Sequence, residues 1–245
     1  MSEAAFDSVD HTCLWKILTT IGAPEKITSL FKRMYEGAES CVRVNGKESS
    51  WFAINSGVRQ GCVAAPDLFN CVIDYLMERV SEQVPGVQLG SYTLGDLEYA
   101  DDAALLCSSL QDLRRALTVF SKEAKLLGLT VNWGKTELMC VGETRTIPPP
   151  LLIENRSIYF VPDFIYLGSK LSHDGSLLPE VNRRRDIAAG VMQGLKRPLW
   201  RHRNISRATK IRIYNSSVIS VLLYGSETWP KNKSLEARLD GFEII

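Results

Sequence analysis

Apolar residues recur at helical spacing along much of this chain. Leu14, Ile17, Leu18 and Ile21 fall on one face and stop at Gly22, and Ile27, Leu30, Phe31 and Met34 resume the period behind Pro24, a favoured first-turn residue. Two short amphipathic helices are predicted. The pattern then changes to CVRV, Asn45-Gly46 and KESSWFAI, in which Asn-Gly supplies the positive φ angles that a two-residue hairpin turn demands. Segment 56–66, SGVRQGCVAAP, reads as a glycine-containing loop. It leads into Leu68, Phe69, Val72, Ile73, Leu76, Met77 and Val80, one face of a helix of about four turns. Beyond Gly86 and Gly90 the apolar run at Leu97-Glu98-Tyr99-Ala100 meets Asp101-Asp102 and resumes as Ala103-Ala104-Leu105-Leu106-Cys107. Adjacent aspartates disfavour strand pairing and favour turns, so the segment reads as strand, acidic turn, strand. Ser109 is placed to N-cap a helix carrying Leu113, Ala116, Leu117, Phe120, Ala124 and Leu127, with Gly128 closing it. Two further strands, 129–132 and 136–141, are expected to complete a β/α/β pattern.

Pro148-Pro149-Pro150 interrupts that pattern and marks the best candidate domain boundary, because consecutive prolines favour an extended, poorly paired backbone. A hairpin-like stretch, 151–171, follows. After Asp174-Gly175 the chain turns helical, with Val181, Ile187, Ala188, Val191 and Leu195 in one stripe and Ser206 capping a segment that carries Ile211, Tyr214, Val218, Val221 and Leu222. The order of elements predicts an α+β fold with a helical final third.

Composition narrows the chemistry. The 245 residues, 45% of them hydrophobic, suffice for one or two domains with cores, and no apolar run approaches the ~18–20 residues of a membrane span. The six cysteines form no C-x-x-C pair and the three histidines lie far apart, so zinc-site spacing is absent and the thiols read as reduced core residues. The start MSEAAFDSVDH lacks the basic end and apolar stretch of a signal peptide, which predicts an intracellular protein. The net charge of +1 hides an asymmetry. Residues 182–212 hold ten Lys/Arg (Arg183, Arg184, Arg185, Lys196, Arg197, Arg201, Arg203, Arg207, Lys210, Arg212) and one acid, Asp186, a local +9 against −8 elsewhere. A charge run can be only a solvated helix face, or it can face a polyanion.

Tyr99-Ala100-Asp101-Asp102 is the sharpest feature. Two carboxylates at a tight turn supply hard oxygen donors suited to magnesium, although an Asp-Asp turn taken by itself is usually just a solvated turn. Its neighbours decide the weight. The ordered set AFDSVDH (5–11), GVRQGC with a downstream Pro and LFN (57–70), YADD (99–102), GLTVNWGKTELM (128–139) and YLGS (166–169) resembles the reverse transcriptases of LINE-type, non-LTR retrotransposons. The tail ISRATKIRIYNSSVISVLLYGSETW (205–229) also looks like the region that follows the polymerase core in these elements.

The resemblance implies a right-hand polymerase: a palm with a ferredoxin-like antiparallel sheet over 1–147, a linker and primer-holding hairpin over 148–172, and a helical thumb over 173–245. It implies RNA-directed DNA polymerisation with an RNA template, a DNA primer, deoxynucleoside triphosphates and two magnesium ions, for which manganese can stand in. The expected surroundings are cytoplasm and nucleus. Asp101 and Asp102 match the metal-binding aspartates, and Lys135 matches a lysine near the leaving pyrophosphate. Phe6 matches the aromatic residue beneath the sugar, and Arg59, Gln60 and Gly61 the loop contacting the incoming nucleotide. Tyr166, Leu167 and Gly168 match the primer-holding hairpin, and Arg183, Arg184, Lys196, Arg197, Arg201 and Arg203 are the candidate contacts to primer and template. No K/R-G-F-G-F-like run occurs, which sets aside a single-strand RNA-binding sheet.

One departure is chemical. In the family pattern D-x-x-x-A-F-D the first metal-binding aspartate lies five residues before the phenylalanine, and counting back from Phe6 lands on Met1. A soft, uncharged thioether cannot replace a carboxylate for magnesium. The expectation is therefore a chain that lacks its first palm strand and fingers and is impaired as a polymerase, with a non-catalytic nucleic-acid-binding remnant as the alternative.

Overall fold

The computed structural model describes residues 5–142, 148–230 and 233–242. The chain divides into two compact units, 1–136 with 151–158 and 137–150 with 159–245. The Pro148–Pro150 stretch thus ends the first excursion into the second unit, and the segment 148–172 is shared between them.

In the first unit α1 (Ala5–Ser8) precedes α2 (His11–Thr20), which begins where the Asp10 carboxylate accepts the Cys13 N–H at 2.8 Å. Helix α3 (Glu25–Tyr35) starts behind Pro24. The predicted hairpin follows as a nested ladder, β1 (Glu39–Ser40) against β4 (Phe52–Ala53) and β2 (Arg43–Val44) against β3 (Lys47–Glu48). Asn45 and Gly46 at its tip take φ 50° and 77°. Helix α4 (Ala65–Ser81) buries every member of its predicted stripe and packs on α2 and on α5 (Leu110–Leu126). Each such side chain removed from water stabilises the unit by about 1.5–3 kcal/mol, as an upper bound. Between these helices lie two hairpins, β5 (Val87–Leu89) with β6 (Tyr92–Leu94) and β7 (Asp96–Tyr99) with β8 (Asp102–Leu105). Ser109 Oγ accepts the Asp112 N–H at 3.0 Å, the predicted cap of α5.

The end of α5 meets the N-terminal segment. The Asp10 N–H donates to the Leu127 carbonyl at 2.9 Å, and a Cβ on Gly128, at φ +81°, would sit 2.3 Å from the Ser8 carbonyl oxygen. Only glycine allows that approach. The hairpin β9 (Leu151–Ile153) and β10 (Arg156–Ile158) returns to this unit, where Glu154 accepts from Ser121 Oγ at 2.9 Å and Lys125 Nζ at 2.9–3.0 Å.

Two sequence expectations change here. Segments 129–132 and 136–141 form no strand ladder, and only Leu138 makes an isolated bridge, to Phe160. The reason is local competition: Asn132 accepts the Lys135 N–H on both its carbonyl (3.1 Å) and Oδ1 (3.2 Å), and its carbonyl accepts Thr136 Oγ1 at 2.9 Å. A turn that satisfies its own polar groups does not need a neighbouring strand. Accordingly the β structure of the described residues is six separate two-stranded pairs within a mixed helical and antiparallel fold, not one ferredoxin-like sheet. The six cysteines are free, as expected, but half-buried at the edges of packing and not core residues.

The second unit opens its hairpin with β11 (Asp163–Tyr166) and β12 (Ser169–Ser172). Helix α6 (Leu178–Gly194) runs into a wide π-helical turn over Lys196–Trp200, and α7 (Arg207–Ile213), capped by Ser206, continues through a second π-helical stretch into α8 (Ser220–Leu222). Helix α9 (Lys233–Asp240) follows, and Ala188, Val218, Leu222 and Phe242 form the small core.

Candidate active site

The segment Phe6–His11 is stitched to the loop 56–62. Gly57 N–H donates to the Val9 carbonyl at 2.7 Å, Val58 N–H to that of Phe6 at 2.6 Å, and Ser56 Oγ to that of Asp7 at 3.0 Å. His11 Nε2 lies 2.7 Å from the Gly57 carbonyl, which only accepts, so that nitrogen carries a proton. Gly57 has φ +87°, and a Cβ there would lie 2.6 Å from Asp7 Cα. The loop side chain Gln60 donates to both Asp7 carboxylate oxygens, at 3.1 and 3.2 Å. Phe6 stacks on buried Phe69, ring centroids 4.4 Å apart and planes 15° from parallel.

These contacts shape an open cleft of about 450 Å³ lined by Ala5, Phe6, Gln60, Gly61, Cys62, Ala65, Pro66 and Asp101. Residues 6, 60, 61 and 101, far apart in sequence, thus meet at one opening. Its volume falls within the range of small-molecule sites. Asp101 reaches it from the turn between β7 and β8, where Tyr99 pairs with Asp102 and Ala100 adopts φ 54°. Asp102 is exposed on the first position of β8. Arg59 is held by its backbone, whose N–H donates to the Tyr35 hydroxyl at 3.1 Å, and its side chain does not line the cleft. Lys135 is exposed on the Asn132 turn, also outside the lining.

Among the described residues the donor set for a metal is incomplete. Asp101 and Asp102 offer carboxylate oxygens, yet among the described residues no three His, Cys, Asp or Glu side chains converge as a metal site. Met1 and Glu3 lie outside the described residues. The described residues alone therefore do not make up a magnesium site.

A second acidic group escaped the sequence reading. Glu98 on β7 has its carboxyl pushed up to about 7 by burial, by hydrogen bonding and repulsion from Asp96, and by the charge of Asp74 on α4. Asp96 and Glu98 share one strand face two residues apart, a signal present in the sequence, whereas Asp74 arrives only through packing.

In the second unit Leu167 and Gly168 form the two-residue turn of the predicted primer-holding hairpin, at φ 47° and 80°, with Tyr166 paired to Ser169. The basic run divides in two. Lys196, Arg197, Arg201 and Arg203 are exposed. Arg184, only 7% exposed, instead binds Glu180 Oε1 through Nε at 2.6 Å and the Gly168 carbonyl through Nη2, and Arg183 Nη1 donates to the same carbonyl at 3.1 Å.

Among the described residues no helix is long and apolar enough to cross a membrane. The family model for reverse transcriptase (RNA-dependent DNA polymerase) matches residues 2–171, and a model for a domain of unknown function matches 195–224. The chain is 30% identical over 175 residues to the transposon TX1 uncharacterized 149 kDa protein of Xenopus laevis, covering 69% of the chain and 13% of that protein. It is 27% identical over 186 residues to a retrovirus-related Pol polyprotein from the type-1 retrotransposable element R2 of Popillia japonica, covering 72% and 31%. The R2DM Pol polyprotein of Drosophila melanogaster matches at 29% over 131 residues, 54% of the chain and 12% of that protein. The chain thus spans well under half the length of these relatives. With the model match covering most of the chain and the relatives drawn from such elements, it belongs to the reverse transcriptase (RNA-dependent DNA polymerase) family of non-LTR retrotransposons.

Proposed function

We propose that this chain carries the nucleotide-binding part of an RNA-directed DNA polymerase, and that the cleft between Phe6, Gln60, Gly61 and Asp101 receives the incoming deoxynucleoside triphosphate. That convergence carries the reading. The Phe6 ring, fixed on Phe69, offers a flat apolar surface for a sugar, and Asp7 restrains Gln60 from swinging across the opening. Gly61 adds no side chain, so a ligand can approach the backbone closely. Lys135, which lies off the cleft lining, is assigned to the leaving pyrophosphate by the family motif alone. The first unit corresponds to part of a palm, the hairpin at Tyr166, Leu167 and Gly168 to a primer holder, and the basic helical region to part of a thumb that binds an RNA template and DNA primer.

Magnesium, or manganese, is what the family reaction uses at Asp101 and Asp102. The exposed Lys196, Arg197, Arg201 and Arg203 favour a second reading, in which the chain binds primer–template nucleic acid without polymerising. The test is primer extension on a poly-rA template with magnesium. It compares this chain with one lengthened upstream so that an aspartate replaces Met1, each with and without Asp101→Asn. Extension by the lengthened chain that Asp101→Asn abolishes is expected. A lengthened chain that is folded but inert overturns the polymerase reading, and Asp101-dependent extension by the chain as it stands overturns the second reading.

A further inference from the structure

The tip of the β11–β12 hairpin is held from outside the hairpin. Tyr224 Oη donates to the Leu167 carbonyl at 2.8 Å, while Arg183 Nη1 and Arg184 Nη2 both donate to the Gly168 carbonyl. Neither turn carbonyl faces a partner strand, so these three donors determine their orientation. Leu167 needs that support, because a leucine at φ 47° sits in the left-handed region that side chains disfavour. The Arg184 guanidinium lies over the Tyr224 ring, 4.3 Å from its centroid, and the same ring lies 3.4–3.6 Å from where a Cβ on Gly168 would be.

Behind them stands Glu180, 1% exposed, whose carboxylate accepts from Arg184 Nε at 2.6 Å, Arg183 Nη1 at 3.2 Å and the Lys170 N–H of β12 at 2.9 Å. One buried carboxylate therefore ties α6 to β12 directly and to the Gly168 carbonyl through the two arginines. A buried ion pair is seldom more stabilising than apolar packing, so its physical yield is a defined geometry. Arg184 also belongs to the basic run expected to contact primer and template, yet its side chain is buried.

We propose that Arg184 and Tyr224, oriented by Glu180, are positioning residues: they fix the two carbonyls of the Leu167-Gly168 turn and so hold the outer surface of the hairpin in the shape that receives a primer end. The inference rests on the reading of this hairpin as the primer holder.

Two measurements on the full chain test it. Amide hydrogen exchange over 163–172 reports the hold, and fluorescence anisotropy of a labelled DNA primer annealed to an RNA template, titrated at several salt concentrations, reports the positioning. Tyr224→Phe keeps the stacked ring and loses the hydroxyl. It should speed exchange at the turn about threefold and weaken duplex binding by a similar factor. Arg184→Gln should do so about tenfold in both, since its hydrogen bonds are charge-assisted. In each case the salt slope stays that of the unaltered chain, whereas exposed Arg201→Ala should flatten it by about one unit.

Unchanged exchange in Tyr224→Phe, a variant mild enough to fold, overturns the hold. Faster exchange with unchanged affinity makes the network merely structural and overturns the positioning. A salt slope flattened by Arg184→Gln makes Arg184 a phosphate contact instead. If the unaltered chain fails to bind the duplex, the primer-holding reading falls and the positioning role with it. The exchange data then still distinguish that failure from a network that does not hold the turn.

Discussion

Replacing Gly57 with alanine should break the seam that builds the cleft. Its backbone lies at φ +87°, and an L-residue forced into the left-handed region loses roughly 1–2 kcal/mol. The added Cβ would also stand 2.6 Å from Asp7 Cα and 2.7 Å from Asp7 carbonyl carbon and oxygen, all backbone atoms that no rotamer change can move. Restoring an ordinary 3.4 Å contact requires a backbone displacement of about 0.8 Å, and overpacking of that kind costs about 1–3 kcal/mol. The displacement also strains the bonds of Gly57 N–H to Val9 and Val58 N–H to Phe6. A total loss of about 3–4 kcal/mol is expected, a large share of the roughly 5–15 kcal/mol that holds a domain folded. Gly61→Ala is the control, since its φ of +83° is similar but nothing lies within 4 Å of its Cβ position. It should lose only the backbone part, about 1–2 kcal/mol. Urea unfolding followed by tryptophan fluorescence measures both, with Trp15 close by, its ring centroid 5.9 Å from that of His11. Equal losses in the two variants, or a Gly57→Ala loss below about 1.5 kcal/mol, refute the steric account.

Two further outcomes follow from buried charge. Because the folded-state pKa of Glu98 is raised from 4.5 to about 7, the folded chain binds its proton more tightly than the unfolded chain. Stability is therefore lost as pH rises from about 4.5 through 7, and Glu98→Gln should stabilise the protein at pH 8 by on the order of 1 kcal/mol, discounted for partial exposure, with the gain vanishing at pH 4. Urea midpoints at the two pH values decide it, and a gain independent of pH refutes it. Glu180→Ala should cost about 3–5 kcal/mol, because it leaves Arg184 buried without its partner; a loss near zero in thermal unfolding refutes that.

Much of the fold was legible because it rests on local rules. The stripe of α4, the Asn45-Gly46 hairpin and the Ser109 cap each need only a period, a positive-φ pair or one side-chain oxygen, and each is present. The strands expected at 129–132 and 136–141 failed because β-propensity says nothing about a partner, and Asn132 captures the Lys135 amide and the Thr136 hydroxyl locally. Asp96 and Glu98 were visible as alternating acids. Their consequence was not, since the field of Asp74 enters from a helix three elements earlier in the chain.

By itself the sequence determined most of the element types, the charge asymmetry and the family, since ordered motifs at set spacing survive as text. Only the tertiary structure decided which residues meet. It brought Phe6, Gln60, Gly61 and Asp101 to one cleft, left Lys135 and Arg59 off its lining, and turned Arg184 from the basic run inward onto a hairpin carbonyl. The physical reason is that helix caps and hairpin turns are made by neighbours along the chain. A cleft or a buried ion pair is made by backbone approach between distant segments, which here depends on Gly57, Gly128 and the desolvated Glu180.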